Sequence, residues 1–86
     1  MRLLVMHVQA HTGGGATRGV SVWVDAADAT QARTLAVDHL ADAGWSVLRI
    51  DSETETTADD YFRPCPSQQA FQRAQAAGVS WRFDDE

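Results

Sequence analysis

The sequence predicts an α+β fold: a two-layer sandwich over residues 1–86, with a four-stranded, mainly antiparallel sheet and two helices on one face, in the order ββαβαβ. Three observations carry this. Apolar and polar residues alternate with a period of two in four short segments; two Ala-rich segments between them carry the helical period; and glycine or proline marks most of the boundaries. No stretch rich in Pro, Gly or Ser divides the 86 residues, so one core serves a single domain. Folding at this length removes only about 60–65% of the unfolded chain's surface from water, and help from a second subunit is expected.

The first strand covers residues 2–10, with Leu4, Met6, Val8 and Ala10 on one face and Leu3, Val5, His7 and Gln9 on the other. The segment from His11 to Gly19 holds three consecutive glycines and no period. After it Val20, Val22 and Val24 alternate with Ser21, Trp23 and Asp25, which makes a long-looped hairpin. From Asp28 the period becomes helical: Ala29, Ala32, Leu35, Ala36, Leu40 and Ala43 form one stripe. Asp28 with Gln31 resembles a capping box, and Gly44 provides a left-handed stop. The third strand spans Trp45 to Asp51, with Leu48 and Ile50 on one side and Val47 and Arg49 on the other.

Residues 51–60 hold five acids and no apolar residue larger than Ala, so a mobile acidic loop is expected there. Thr57 with Asp60 suits a single capped turn into Tyr61 and Phe62, which Arg63-Pro64-Cys65-Pro66 ends. The second helix then carries Ala70, Phe71, Ala74 and Ala77 on its apolar stripe, with Pro66 at its start and Gly78 at its end. Val79, Trp81 and Phe83 alternate through a last short strand before an acidic tail.

The net charge of −5, from 12 acidic and 7 basic residues scattered singly, argues against nucleic acid or an anionic membrane as partner, since both need a clustered positive face to displace counterions. All seven basic residues are Arg; the absence of Lys and Asn beside abundant Ala and Asp is the composition a GC-rich bacterial genome produces. A lone Cys65 cannot close an internal disulfide and fits a reducing compartment, and the longest apolar run near the start, residues 3–6, falls far short of a signal or membrane span. The cytoplasm is the expected location.

Each candidate site competes with a plainer reading. The run Thr12-Gly13-Gly14-Gly15-Ala16-Thr17-Arg18-Gly19 could cradle an anion, with Gly13, Gly14 and Gly15 offering backbone amides and Arg18 a charge. It lacks the Gly-Lys-Ser/Thr ending of a P-loop and joins two strands, so a flexible hairpin loop explains it as well. His7 and His11 on one strand lie about 13 Å apart and cannot share an ion; with His39 on a helix, no set of three ligands forms, and no metal or cofactor is expected. Cys65 at the start of the second helix would feel the positive end of the helix dipole, and Arg63 would add to it, a setting that favours a thiolate. No resolving cysteine accompanies it, and a small residue in a proline turn is the alternative. The acids of residues 51–60 lack the glycine and terminal Glu of a calcium loop, and no serine sits in a Gly-x-Ser-x-Gly elbow.

The outward face of the sheet weighs most. With both helices on the other face, Leu3, Val5, His7 and Trp23, joined by Val47, would point away from them and form a surface too apolar for solvent alone.

The segment Val22-Trp23-Val24-Asp25-Ala26-Ala27-Asp28-Ala29-Thr30-Gln31-Ala32, followed by Ala41-Asp42-Ala43-Gly44-Trp45, resembles the ββα core of uncharacterised, ferredoxin-like small bacterial α+β domains, over residues 20–50. It is faintly similar to the septal peptidoglycan-binding repeat, but lacks the strand-borne Gln and Gly pattern with which that repeat starts, so no sugar binding is implied. The resemblance implies a fold and no function. The reading at this level is a non-enzymatic interaction or binding domain that self-associates through its open sheet face at Leu3, Val5, His7 and Trp23. The alternatives are a thiol-dependent enzyme or redox protein using Cys65 and Arg63, and a small-ligand or anion binder using the glycine loop and Trp23.

Overall fold

The computed structural model describes residues 1–11, 17–61 (the Ala58 side chain excepted) and 65–84. The elements fall in the predicted order: β1 (Arg2–Ala10), β2 (Thr17–Val24), α1 (Ala29–Asp42), β3 (Trp45–Glu55), α2 (Pro66–Ala77) and β4 (Val79–Phe83), with one 3-10 turn over Ala58–Tyr61. The four strands pair antiparallel throughout, in the spatial order β3-β1-β2-β4. The class is α+β. The sequence order ββαβαβ differs from the βαββαβ order of ferredoxin-like domains, and that label gains no support.

One face of the sheet, the front, packs on α1. Leu4, Met6 and Val8 of β1 and Val20, Val22 and Val24 of β2 meet Ala32, Ala36 and Leu40, all fully buried. Alanines at the contact let the helix axis approach the sheet closely, which seals a small core without large helix side chains. Asp28 caps the helix, its Oδ1 accepting from the Gln31 N–H at 2.8 Å, and Gly44 stops it with φ +93°. Arg33 on the outer side of α1 donates from Nε to Glu53 Oε2 at 2.6 Å and ties the helix to β3.

The second helix departs from expectation. α2 covers the back face, where its Ala70, Phe71 and Ala74 pack on Trp23, with Met1, Leu3 and Tyr61 around them. These sheet residues alternate with those under α1, so the two helices lie on opposite faces and the expected placement on one face is corrected. The physical reason is room and need. α1 already occupies the front, the chain must travel from β3 to the opposite sheet edge, and Trp23 offers the largest apolar surface on the back.

β3 departs twice more. Its register against β1 shifts between Val5 and Met6 and again between His7 and Val8, so two residues of β3 are extra to the ladder. Val47 and Ile50 consequently both pack on the front core, while Leu48 is 50% exposed, the reverse of strict alternation for Leu48 and Val47. β3 also continues to Glu55, where a mobile acidic loop was expected. Pairing with β1 from Leu4↔Glu53 to Arg2↔Glu55 supplies the order that hydrophobic content could not, and the Thr56 N–H closes onto the Met1 carbonyl at 2.8 Å. Among the described residues no helix is long and apolar enough to cross a membrane.

Candidate functional site

The back face divides into two halves, because α2 covers only one end of it. Under α2, the cross-strand row is Thr54, Leu3, Trp23 and Ser80. Trp23 is 2% exposed, its indole Nε1 donates to the Tyr61 hydroxyl at 2.9 Å, and Ser80 Oγ donates to the Ala70 carbonyl. Tyr61 and Phe71 close the cluster with ring centroids 5.1 Å apart. Both polar groups that the indole and the serine bring into this cover are thereby satisfied.

Beyond α2 no described element covers the same face, and the side chains there are chiefly polar. The next row is Ser52, Val5, Ser21 and Arg82; the one after it is Arg49, His7 and Gly19, followed by Ser46, Gln9 and Thr17. The bulge next to Ile50 brings Asp51 onto this face beside Arg49. There Asp51 accepts two hydrogen bonds, from His7 Nδ1 at 2.5 Å and from Arg49 Nε at 2.7 Å. The side chains of His7 and Asp51 are each about a third exposed. The Arg49 hydrogen bond, with the His7 bond helping, holds the Asp51 carboxyl below its ordinary range against the opposing effect of partial burial. Asp84, just past β4, completes the row. Its N–H donates to the Gly19 carbonyl at 2.9 Å, and Ser21 Oγ donates to its Oδ1 at 3.4 Å. A Cβ at position 19 would meet the Asp84 carboxylate, which would have to swing aside.

The result is a set of bonded side chains on one face, Arg49–Asp51–His7 from β3 and β1, and Ser21–Asp84 from β2 and just past β4. Strands hold it rigidly, and an imidazole is oriented by a carboxylate within it. The Ser21 hydroxyl is bonded to Asp84, so the described residues show no hydroxyl engaged with His7 as an activated nucleophile would be.

The other candidates separate. Of the four expected interface residues, Trp23 and Leu3 lie in the cluster under α2, whereas Val5 and His7 lie in the open half. Cys65 is the N-cap of α2, its Sγ accepting from the Gln68 N–H at 3.3 Å, a structural use of the thiol. Arg18 is on the front face, its guanidinium 3.7 Å from the centre of the Phe83 ring and 5.7 Å from that of Trp45. Gly13, Gly14, Gly15 and Arg63 lie outside the described residues. Among the described residues no three His, Cys, Asp or Glu side chains are grouped to hold a metal ion. A groove of about 80 Å³ beside α2, lined by Tyr61, Gln68, Phe71, Gln72 and Gln75, has room for little more than water. The sequence offers Asp51 only among the acids of residues 51–60 and Ser21 only among serines without an elbow motif, and gives no sign of Arg49 or Asp84 as site residues. Ser21 and Arg49 were legible as neighbours of His7 from strand alternation, but Asp51 reaches the same face only through a bulge.

The described residues define a four-stranded antiparallel α+β domain with one helix on each side and half of one face uncovered by any described element. Comparison with known proteins adds no family to that class: no family description, no curated protein and no solved structure matches the chain.

Proposed function

We propose that this chain is a small, non-enzymatic binding domain whose working surface is the open half of the back face, acting in a reducing compartment such as the cytoplasm. The observation that carries the reading is the Arg49–Asp51–His7 chain of hydrogen bonds, set on rigid strands at the place where α2 stops covering the sheet. Ordered polar side chains on a strand scaffold lose little freedom when a ligand arrives, which is how a modest surface gains useful affinity. Val5 supplies an apolar centre, flanked by the Ser21 and Ser52 hydroxyls, so the surface suits a ligand with hydrogen-bonding groups around a small apolar part.

Self-association through an apolar open face loses its ground once Trp23 is beneath α2; what is left open is chiefly polar. The thiol-enzyme alternative has the helix N-terminus it expects, where Cys65 Sγ accepts from the Gln68 N–H, but no described histidine or carboxylate bonds to the thiol. A thermal-shift screen of small molecules and short peptides, followed by amide chemical-shift mapping of the hits, tests the proposal. A ligand at 100 times its dissociation constant stabilises the fold by about 2.7 kcal/mol. The expected hits perturb the amides of Val5, His7, Ser21, Arg49 and Ser52 and lose their effect in Arg49→Ala. Hits that map around Cys65 or on the front face, and that survive Arg49→Ala, would overturn it.

A further inference from the structure

We propose that the outer edge of β4 pairs with the same edge of a second copy of this chain, joining two four-stranded sheets into one. The two sheet edges are unlike. β3 carries the marks of a protected edge: two irregularities in its ladder, and charged residues at Arg49, Asp51, Glu53 and Glu55. β4 has no such irregularity and a single charged residue, Arg82, with Val79-Ser80-Trp81-Arg82-Phe83 in unbroken register against β2.

The backbone polarity of β4 follows from two bonds to the β2 side. The Asp25 N–H donates to the Gly78 carbonyl at 2.8 Å, and the Asp84 N–H donates to the Gly19 carbonyl at 2.9 Å. Even-numbered residues of β4 thus turn their backbone groups to β2, and Val79, Trp81 and Phe83 turn theirs outward, where no described strand pairs with them. Those three side chains are also only partly buried, because α1 lies over β3, β1 and β2 and barely reaches β4.

The occupant is a second copy because this strand complements itself in one register. Trp81 set opposite Trp81 of the second copy places Val79 opposite Phe83 in both directions, so every outward backbone group of both strands is paired and apolar faces apolar. Arg82 then stands opposite Ser80. Sliding by one pair in either direction leaves Val79 or Phe83 of each copy without a partner in β4. The twofold axis passes through Trp81, which makes the contact isologous and closed.

The test uses the self-opposed position. Sedimentation equilibrium of the wild-type chain is expected to give twice 9.4 kDa. Trp81→Lys and Trp81→Glu are each expected to sediment as folded monomers, verified by circular dichroism, because each sets like charges together. Mixing the two variants is expected to restore the dimer. A wild-type mass of 9.4 kDa up to millimolar concentration would overturn the proposal. So would dimers that persist in both separate variants, or a mixture of folded variants that stays monomeric. If either variant fails to fold, Trp81→Cys in a Cys65→Ser background replaces the pair: rapid disulfide closure to a covalent dimer supports the contact, and its absence under oxidation overturns it.

Discussion

Two carboxylates are held below their ordinary range, each by named neighbours. Asp51 is held below the ordinary carboxyl range of 3.8 first by Arg49 and then, against partial burial, by His7. Asp60 is held below it by the Thr56 hydroxyl at 2.7 Å and the Thr57 N–H at 3.0 Å, which close the turn that positions Tyr61 for the Trp23 indole. A carboxyl whose folded pKa is depressed contributes its full stability above the unfolded value, and that contribution is lost as pH falls through the folded one. Urea midpoints are therefore expected to decline as pH drops from about 4 toward 2. The decline should be shallower in Asp60→Asn and in Asp51→Asn than in the parent chain; equal slopes would contradict these contacts. At this scale Asp60 was legible, since Thr57 with Asp60 reads as a local cap three residues apart. Asp51 was not, because its partner His7 is 44 residues away and a shift in strand register decides which side it faces.

At the scale of elements, the helices announce themselves and β3 hides. Asp28, Gly44, Pro66 and Gly78 bound α1 and α2 where residue chemistry says they should, because caps are local and their reasons are written in adjacent positions. The bulges of β3 are decided by its partner strand. Period-two reading puts Leu48 in the core and Val47 outside it; the bulged strand puts Val47 and Ile50 inside. Leu48→Ala is therefore expected to change stability by less than about 0.5 kcal/mol, while Ile50→Ala costs about 1–3 kcal/mol through lost packing against the front core. Chemical denaturation of the two variants measures this, and a costly Leu48→Ala would mean that the ladder is regular.

For the whole molecule the decisive feature is that the helices take opposite faces. Alternation correctly separates Trp23 from the valines around it, and an exposed apolar back face follows if both helices are assigned to the front. What the sequence does not state is the route of the connection from β3 to β4, and that route carries α2 beneath the sheet. Trp23, the large apolar residue of that face, is covered from within, and the described surface left over is the polar row around His7. Both proposals depend on this placement: the open half is open because α2 ends, and β4 is an edge because α2 delivers it there. Nuclear Overhauser contacts between the Trp23 indole and the methyl groups of Ala70 and Ala74 test it most directly. Strong contacts to both are expected, together with contacts from Leu40 to the front-face side chains of Met6 or Val8. A Trp23 indole that shows neither alanine methyl and is freely quenched by solute iodide would contradict it.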